Sequence, residues 1–279
     1  MSSTRQTDIA ILGGTPGGIA AAIAAARLGR SVLLIEPQAH LGGMSTSGLG
    51  KSDVERRHLI GGLFQEFTQR IHQYYLDRYA PDSEDIALCQ DGYYFEPSVA
   101  ETVFHDMLKA QPQITVLTSH SLDSATTREK RLTAIDILSP RGERSTVHAR
   151  VFLDATYEGD LLAAAGADFR LGREARDEFD EPHAGQIYFD YQRQQFLPGS
   201  TGAGDDRLPS YTYRLCLTTD PANAAPLTEP PSDYDRRHYL GYFDDLAAGR
   251  LAGPLQFKPG RGYEPAHFNT LVRALSVTP

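Results

Sequence analysis

The sequence predicts an α/β fold: a parallel sheet wound with helices at the start of the chain, then a β-rich second domain. Three observations carry this. Ile9-Ala10-Ile11-Leu12 is a continuous apolar run ended by Gly13-Gly14, the pattern of a strand buried on both faces. The stretch from Gly17 to Leu28 is rich in alanine, the strongest helix former, and Gly29 is placed to end that helix. Ser31-Val32-Leu33-Leu34-Ile35 is a second buried strand, closed by Glu36-Pro37. Two parallel strands joined by a short helix make a βαβ unit.

The later elements follow from spacing. Leu63, Phe64, Phe67, Ile71, Tyr74 and Tyr75 recur at helical intervals within residues 60–79. Ser98-Val99-Ala100-Glu101 reads as a capping box opening a helix that runs to about Ala110. Strands are expected at 114–117, 132–138 and 147–153, with a hairpin-like stretch between Ser119 and Arg144, and a short helix at 159–165. Beyond Gly166 the composition shifts to proline, glycine, aspartate and aromatic residues. Strand-like runs there cover 186–191 and 211–217, and Ser232 is placed to cap a helix through Ala248. Two domains are therefore expected, residues 1–165 and 166–279, the second partly represented.

Composition narrows the function. The 279 residues hold 27 Lys+Arg against 36 Asp+Glu, a net charge of −9. An overall basic field that would hold nucleic acid through its phosphates is absent. Two cysteines, Cys89 and Cys216, cannot build a disulfide framework, a four-cysteine zinc site or an ordinary iron–sulfur cluster. The nine histidines show no H-E-x-x-H or other close metal spacing, so no metal is expected. No G-x-S-x-G nucleophile elbow occurs. The polar start and the glycine-broken apolar region 9–35 read as neither signal peptide nor membrane span, so a cytoplasmic chain is expected.

The turn of the βαβ unit reads Gly13-Gly14-Thr15-Pro16-Gly17-Gly18. Gly13 and Gly18 match the dinucleotide fingerprint G-x-G-x-x-G, and Thr15 replaces its middle glycine. Such a turn lets the backbone leave the strand, packs helix on strand, and aims amide N–H groups at a pyrophosphate. The Thr15 side chain limits that approach, although its hydroxyl could hydrogen-bond a phosphate. Glu36 supplies the acid that accepts ribose hydroxyls and repels a 2′-phosphate. The spacing points to a Rossmann-like dinucleotide site.

Three segments then resemble one family. Gly13-Gly-Thr-Pro-Gly-Gly-Ile19 is followed by Ile35-Glu36-Pro37 and by His40-Leu-Gly-Gly-Met-Ser-Thr-Ser-Gly-Leu-Gly50. Val151-Phe-Leu-Asp-Ala-Thr-Tyr-Glu-Gly-Asp-Leu161 is the third. Together they look like the bacterial FAD-dependent oxidoreductases of the glutathione-reductase-like class, in the branch with a Gly-Gly-Thr-Pro turn and a Leu-Gly-Gly-Met loop. The resemblance implies FAD as cofactor. The turn Gly13, Gly14, Thr15, Pro16, Gly17 and Gly18 would hold the pyrophosphate, and Glu36 with Pro37 the ribose. Gly42, Gly43 and Met44, with Ser47, would line the flavin side, while Asp154, Ala155 and Thr156 return the chain against the dinucleotide.

The same resemblance implies flavin-mediated hydride or electron transfer on an unidentified small organic substrate, with no residue singled out as acid or base. Relatives are longer and return late to the cofactor domain through a strand and a Gly-Asp turn. Here the only late candidate, Gly202-Ala203-Gly204-Asp205, reads as a loop, so this chain looks like the N-terminal portion of such a flavoprotein. Weak or no FAD binding by the isolated chain, with little turnover, is the corresponding expectation. Two rival readings stay open: a truncated, non-catalytic dinucleotide-binding fragment, and a simple NAD-dependent dehydrogenase.

Overall fold

A computed structural model describes residues 3–190, 193–208 and part of 221–248. The chain divides into two compact units, Met1–Asp168 and Phe169–Pro279. In chain order the first unit holds β1 (Ser3–Leu12), α1 (Pro16–Arg27), β2 (Val32–Ile35), α2 (Gly62–Leu76), α3 (Glu84–Cys89) and α4 (Pro97–Lys109). It continues with β3 (Ile114–Leu117), β4 (Ser121–Arg128), β5 (Arg131–Leu138), β6 (Arg144–Asp154) and α5 (Asp160–Ala164). The described part of the second unit holds α6 (Arg176–Phe179), β7 (Phe189–Asp190) and β8 (Gln195–Phe196).

One six-stranded sheet organises the first unit, in the order β3-β2-β1-β6-β5-β4. The four strands β3, β2, β1 and β6 run parallel, and β5 and β4 continue antiparallel as a hairpin. Strand periodicity explains how this sheet is covered. Ile11, Val32 and Leu34 point to one face, where they pack with α1, α2 and α4 through Ile19, Ile23, Phe67, Ile71 and Phe104. Ala10, Leu12, Leu33 and Ile35 point to the other, against Ile135, Ile137, Val147 and Leu161. A strand buried on both faces needs a continuous apolar sequence, and β2 is buried along its whole length.

Two differences from the sequence reading have physical causes. β1 begins at Ser3 rather than Ile9, because Ser3–Thr7 pair with Ser145–Ala149 of a longer β6. Those residues form an exposed extension, so no apolar run marks them. The capping box at Ser98 does not form. Pro97 occupies the first helical turn and Glu96 is the N-cap, which places Ser98 inside α4. Proline's fixed φ suits that first position, and its missing N–H costs nothing there.

In the second unit β7 and β8 form a two-residue antiparallel ladder, and Arg173 bridges to Asp205. The 211–217 strand expectation and most of the helix expected after Ser232 lie outside the described residues.

Candidate functional site: a dinucleotide cradle

The carboxyl ends of β1, β2 and β6 meet at one edge of the sheet, where open α/β sheets bind ligands. Gly13 leaves β1 with φ +101, a left-handed conformation that favours glycine. A Cβ there would come within 2.6 Å of the Ala155 carbonyl. One on Gly18 would overlap the Gly13 carbonyl oxygen, so α1 starts in direct contact with the turn. These two glycines exist to let backbone meet backbone.

Thr15 corrects an expectation. It is the N-cap of α1, and its Oγ1 accepts the Gly18 N–H at 3.2 Å. The same hydroxyl donates to the Ala155 carbonyl at 2.8 Å. It is buried and faces the protein, because a helix N-cap needs its oxygen turned toward the first-turn amides. What the turn presents outward is Pro16 and Gly17. The Gly17 N–H has no acceptor among the described residues, as the opening turn of a helix dictates. A free amide at the positive end of a helix dipole suits an anion.

Glu36 directly follows β2 and is 8% exposed. Its Oε2 accepts the Gly14 N–H at 2.6 Å and its Oε1 the Gln38 N–H at 2.8 Å. The carboxylate is thus locked beside the glycine turn. Each oxygen retains a second lone pair able to accept a hydroxyl. Pro37 follows on the exposed side of the strand end.

The loop after β2 folds back on this turn. Gly42 N–H donates to the Gly14 carbonyl at 2.7 Å. Glu101 of α4 holds the loop entrance, accepting from Leu41 N–H at 3.4 Å and pairing with His40 Nδ1 at 2.9 Å. The Thr46 hydroxyl donates to the Leu41 carbonyl at 2.6 Å. Gly43–Ser45 form one turn of 3₁₀ helix, with the Met44 side chain exposed. Ser47 lies exposed just past that turn and sends only its N–H back, to the Met44 carbonyl at 3.3 Å.

The turn after β6 completes the cradle through Ala155 rather than through its polar neighbours. Asp154 accepts from the Thr156 N–H at 3.0 Å and from the Leu162 N–H at 2.8 Å. Thr156 Oγ1 in turn accepts the Gly159 N–H at 2.9 Å. Both side chains are committed to starting α5. Ala155 N–H donates to the Leu12 carbonyl at 2.7 Å, and its own carbonyl receives Thr15.

The structure therefore brings together Gly13–Gly18, Glu36, Gly42–Met44 and Ala155, and leaves Pro37 and Ser47 at the margin. Sequence reasoning missed Tyr157, whose hydroxyl accepts the Met44 N–H at 2.9 Å. Its place directly after Asp-Ala-Thr was the available signal. It also missed Glu101, which the capping-box pattern had assigned to a helix end. Arg57 pairs with Asp91 at 3.2 Å and stacks on Tyr93. Cys89 is buried, and burial pushes its thiol up from 9.0, which suits a core residue rather than a nucleophile.

A glycine turn at a helix N-terminus, an acid on the neighbouring strand and a second glycine loop define a Rossmann-like nucleotide-binding unit. The chain belongs to the FAD-dependent oxidoreductases: the family model described as FAD dependent oxidoreductase matches residues 8–264. Comparison with curated proteins gives no significant match.

Several solved structures are similar to part of this chain. L-proline dehydrogenase from P. horikoshii is 15% identical over 56% of this chain and 23% of its own, with a TM-score of 0.36. The p-nitrophenol 4-monooxygenase PnpA from Pseudomonas putida is 10% identical over 69% and 50%, TM-score 0.41. E. coli quinol fumarate reductase FrdA is 16% identical over 55% and 33%, TM-score 0.37. The chain thus spans a quarter to a half of their lengths. Among the described residues no helix is long and apolar enough to cross a membrane.

Proposed function

We propose that the cradle binds FAD in the manner of the glutathione-reductase-like flavoproteins, and that the protein acts as an oxidoreductase on a small organic substrate. FAD, when bound, supplies the hydride or electron transfer. The chain's own residues bind and orient it. The Gly17 amide and the α1 N-terminus meet the pyrophosphate, and the Gly42–Met44 loop offers backbone on the flavin side. Ala155 closes the turn from below.

The observation that carries this reading is Glu36. Its carboxylate is fixed by Gly14 N–H and Gln38 N–H at 2.6 and 2.8 Å, with lone pairs left for ribose hydroxyls. A buried anion there also rejects a 2′-phosphate. Family membership favours FAD over NAD as the unphosphorylated dinucleotide. The test is a titration of the purified full chain with FAD, followed by flavin fluorescence, with ADP, NAD and NADP as competitors. FAD should bind saturably and ADP should displace it. Displacement by NAD at lower concentration than ADP would move the reading to an NAD-dependent dehydrogenase.

A further inference from the structure

The second unit carries three arginines at three-residue intervals, Arg170, Arg173 and Arg176. Two are neutralised. Arg170 pairs with Glu174 and Glu178, and Arg173 grips Asp205 through two charge-assisted hydrogen bonds. The Arg176 side chain makes no ion pair or hydrogen bond among the described residues, and its Nε is shut off from solvent without an acceptor. An unsatisfied buried donor on a charged group is rare and calls for an explanation.

The surroundings of Arg176 are shaped to hold it. Its Cζ lies over the Phe196 ring, 5.0 Å from the centroid. Phe196 packs in turn on Phe189 at 5.1 Å and on His183 at 5.4 Å. Gly202, at φ +73, sits so close that a Cβ would come 3.0 Å from Arg176 Nε, and its carbonyl accepts the Arg176 N–H at 2.8 Å. The late glycine segment singled out in the sequence therefore serves this arginine. With Nε enclosed, a guanidinium stacked on a ring keeps its two Nη groups for a planar oxyanion. Phe196, and the His183 ring packed on it, remain exposed.

We propose that Arg176, stacked on Phe196, is a binding subsite for a small organic carboxylate, with the ligand's ring or apolar body resting on the exposed Phe196 and on the His183 ring packed against it. The subsite belongs to the second unit alone and stands independently of the flavin reading. The test is calorimetric titration of the full chain with benzoate, acetate and inorganic phosphate. Benzoate should bind saturably and more tightly than acetate, and both more tightly than phosphate. Arg176→Gln should weaken benzoate on the order of ten- to a hundredfold, as loss of a charge-assisted pair implies. Arg170→Gln should leave it unchanged. Absence of saturable carboxylate binding, a preference for phosphate, or wild-type affinity in Arg176→Gln overturns the proposal. If Arg176→Gln does not fold, Phe196→Leu decides: losing the benzoate-over-acetate preference supports the subsite, and keeping it refutes the subsite.

Discussion

The Met44 N–H donates to the Tyr157 hydroxyl at 2.9 Å, tying the loop after β2 to the turn after β6. These are the two backbone segments that flank the glycine turn. A Cβ on Gly43 would overlap that same hydroxyl, so the contact also needs the glycine. Tyr157→Phe removes one neutral hydrogen bond, worth about 1 kcal/mol. FAD affinity should fall by about fivefold, with faster hydrogen exchange at the Met44 amide. Gly43→Ala should cost more, because the φ of +50 and the overlap both oppose it.

Thr15 joins the N-terminus of α1 to the Ala155 carbonyl. Thr15→Val keeps the volume and removes both hydrogen bonds, so unfolding free energy should fall by about 1–2 kcal/mol. Thr15→Ser should recover most of it. Urea denaturation of the two variants against wild type is the measurement.

Tyr75 and Glu96 form a reciprocal pair between α2 and the start of α4. The Tyr75 hydroxyl donates to Glu96 Oε2 at 3.2 Å and accepts the Glu96 N–H at 3.0 Å. Burial pushes the phenol up from its ordinary 10.0, and the Glu96 carboxylate adds to the shift. A raised folded pKa means the pair's stability is fully present below pH 10 and is lost as pH rises beyond it. Wild type should be more stable than Tyr75→Phe at pH 8. Denaturation at stepped pH should show that advantage shrinking above pH 10; a constant difference would contradict it.

Most of the first unit was legible because its signals are local. The buried end of β1, residues 9–12, and β2 are continuous apolar runs, half of α1 is alanine, and Gly13 and Gly18 are demanded by backbone contact. What stayed hidden depends on pairing across the chain. Ser3–Thr7 become strand only because β6 lies beside them. Tyr157 reaches Met44 across more than a hundred residues, and nothing near it in sequence reveals that partner. The Thr15 hydroxyl could bond a phosphate as far as sequence goes, but it satisfies two internal groups. Glu101 matched a local pattern, and Pro97 overrode it by starting the helix earlier.

The central claim is that Glu36 is the ribose-binding acid of an FAD cradle. The direct measurement is FAD affinity of the full chain for wild type and Glu36→Arg, with thermal melts confirming that both fold. Loss of hydrogen bonds to a charged acceptor, about 1.5–3 kcal/mol, predicts affinity lower by roughly ten- to a hundredfold. No gain for a 2′-phosphorylated dinucleotide should accompany it, since the exposed Pro37 turn offers no rebuilt phosphate pocket. Unchanged FAD affinity in folded Glu36→Arg, or no saturable FAD or ADP binding by the wild-type chain, would contradict the account.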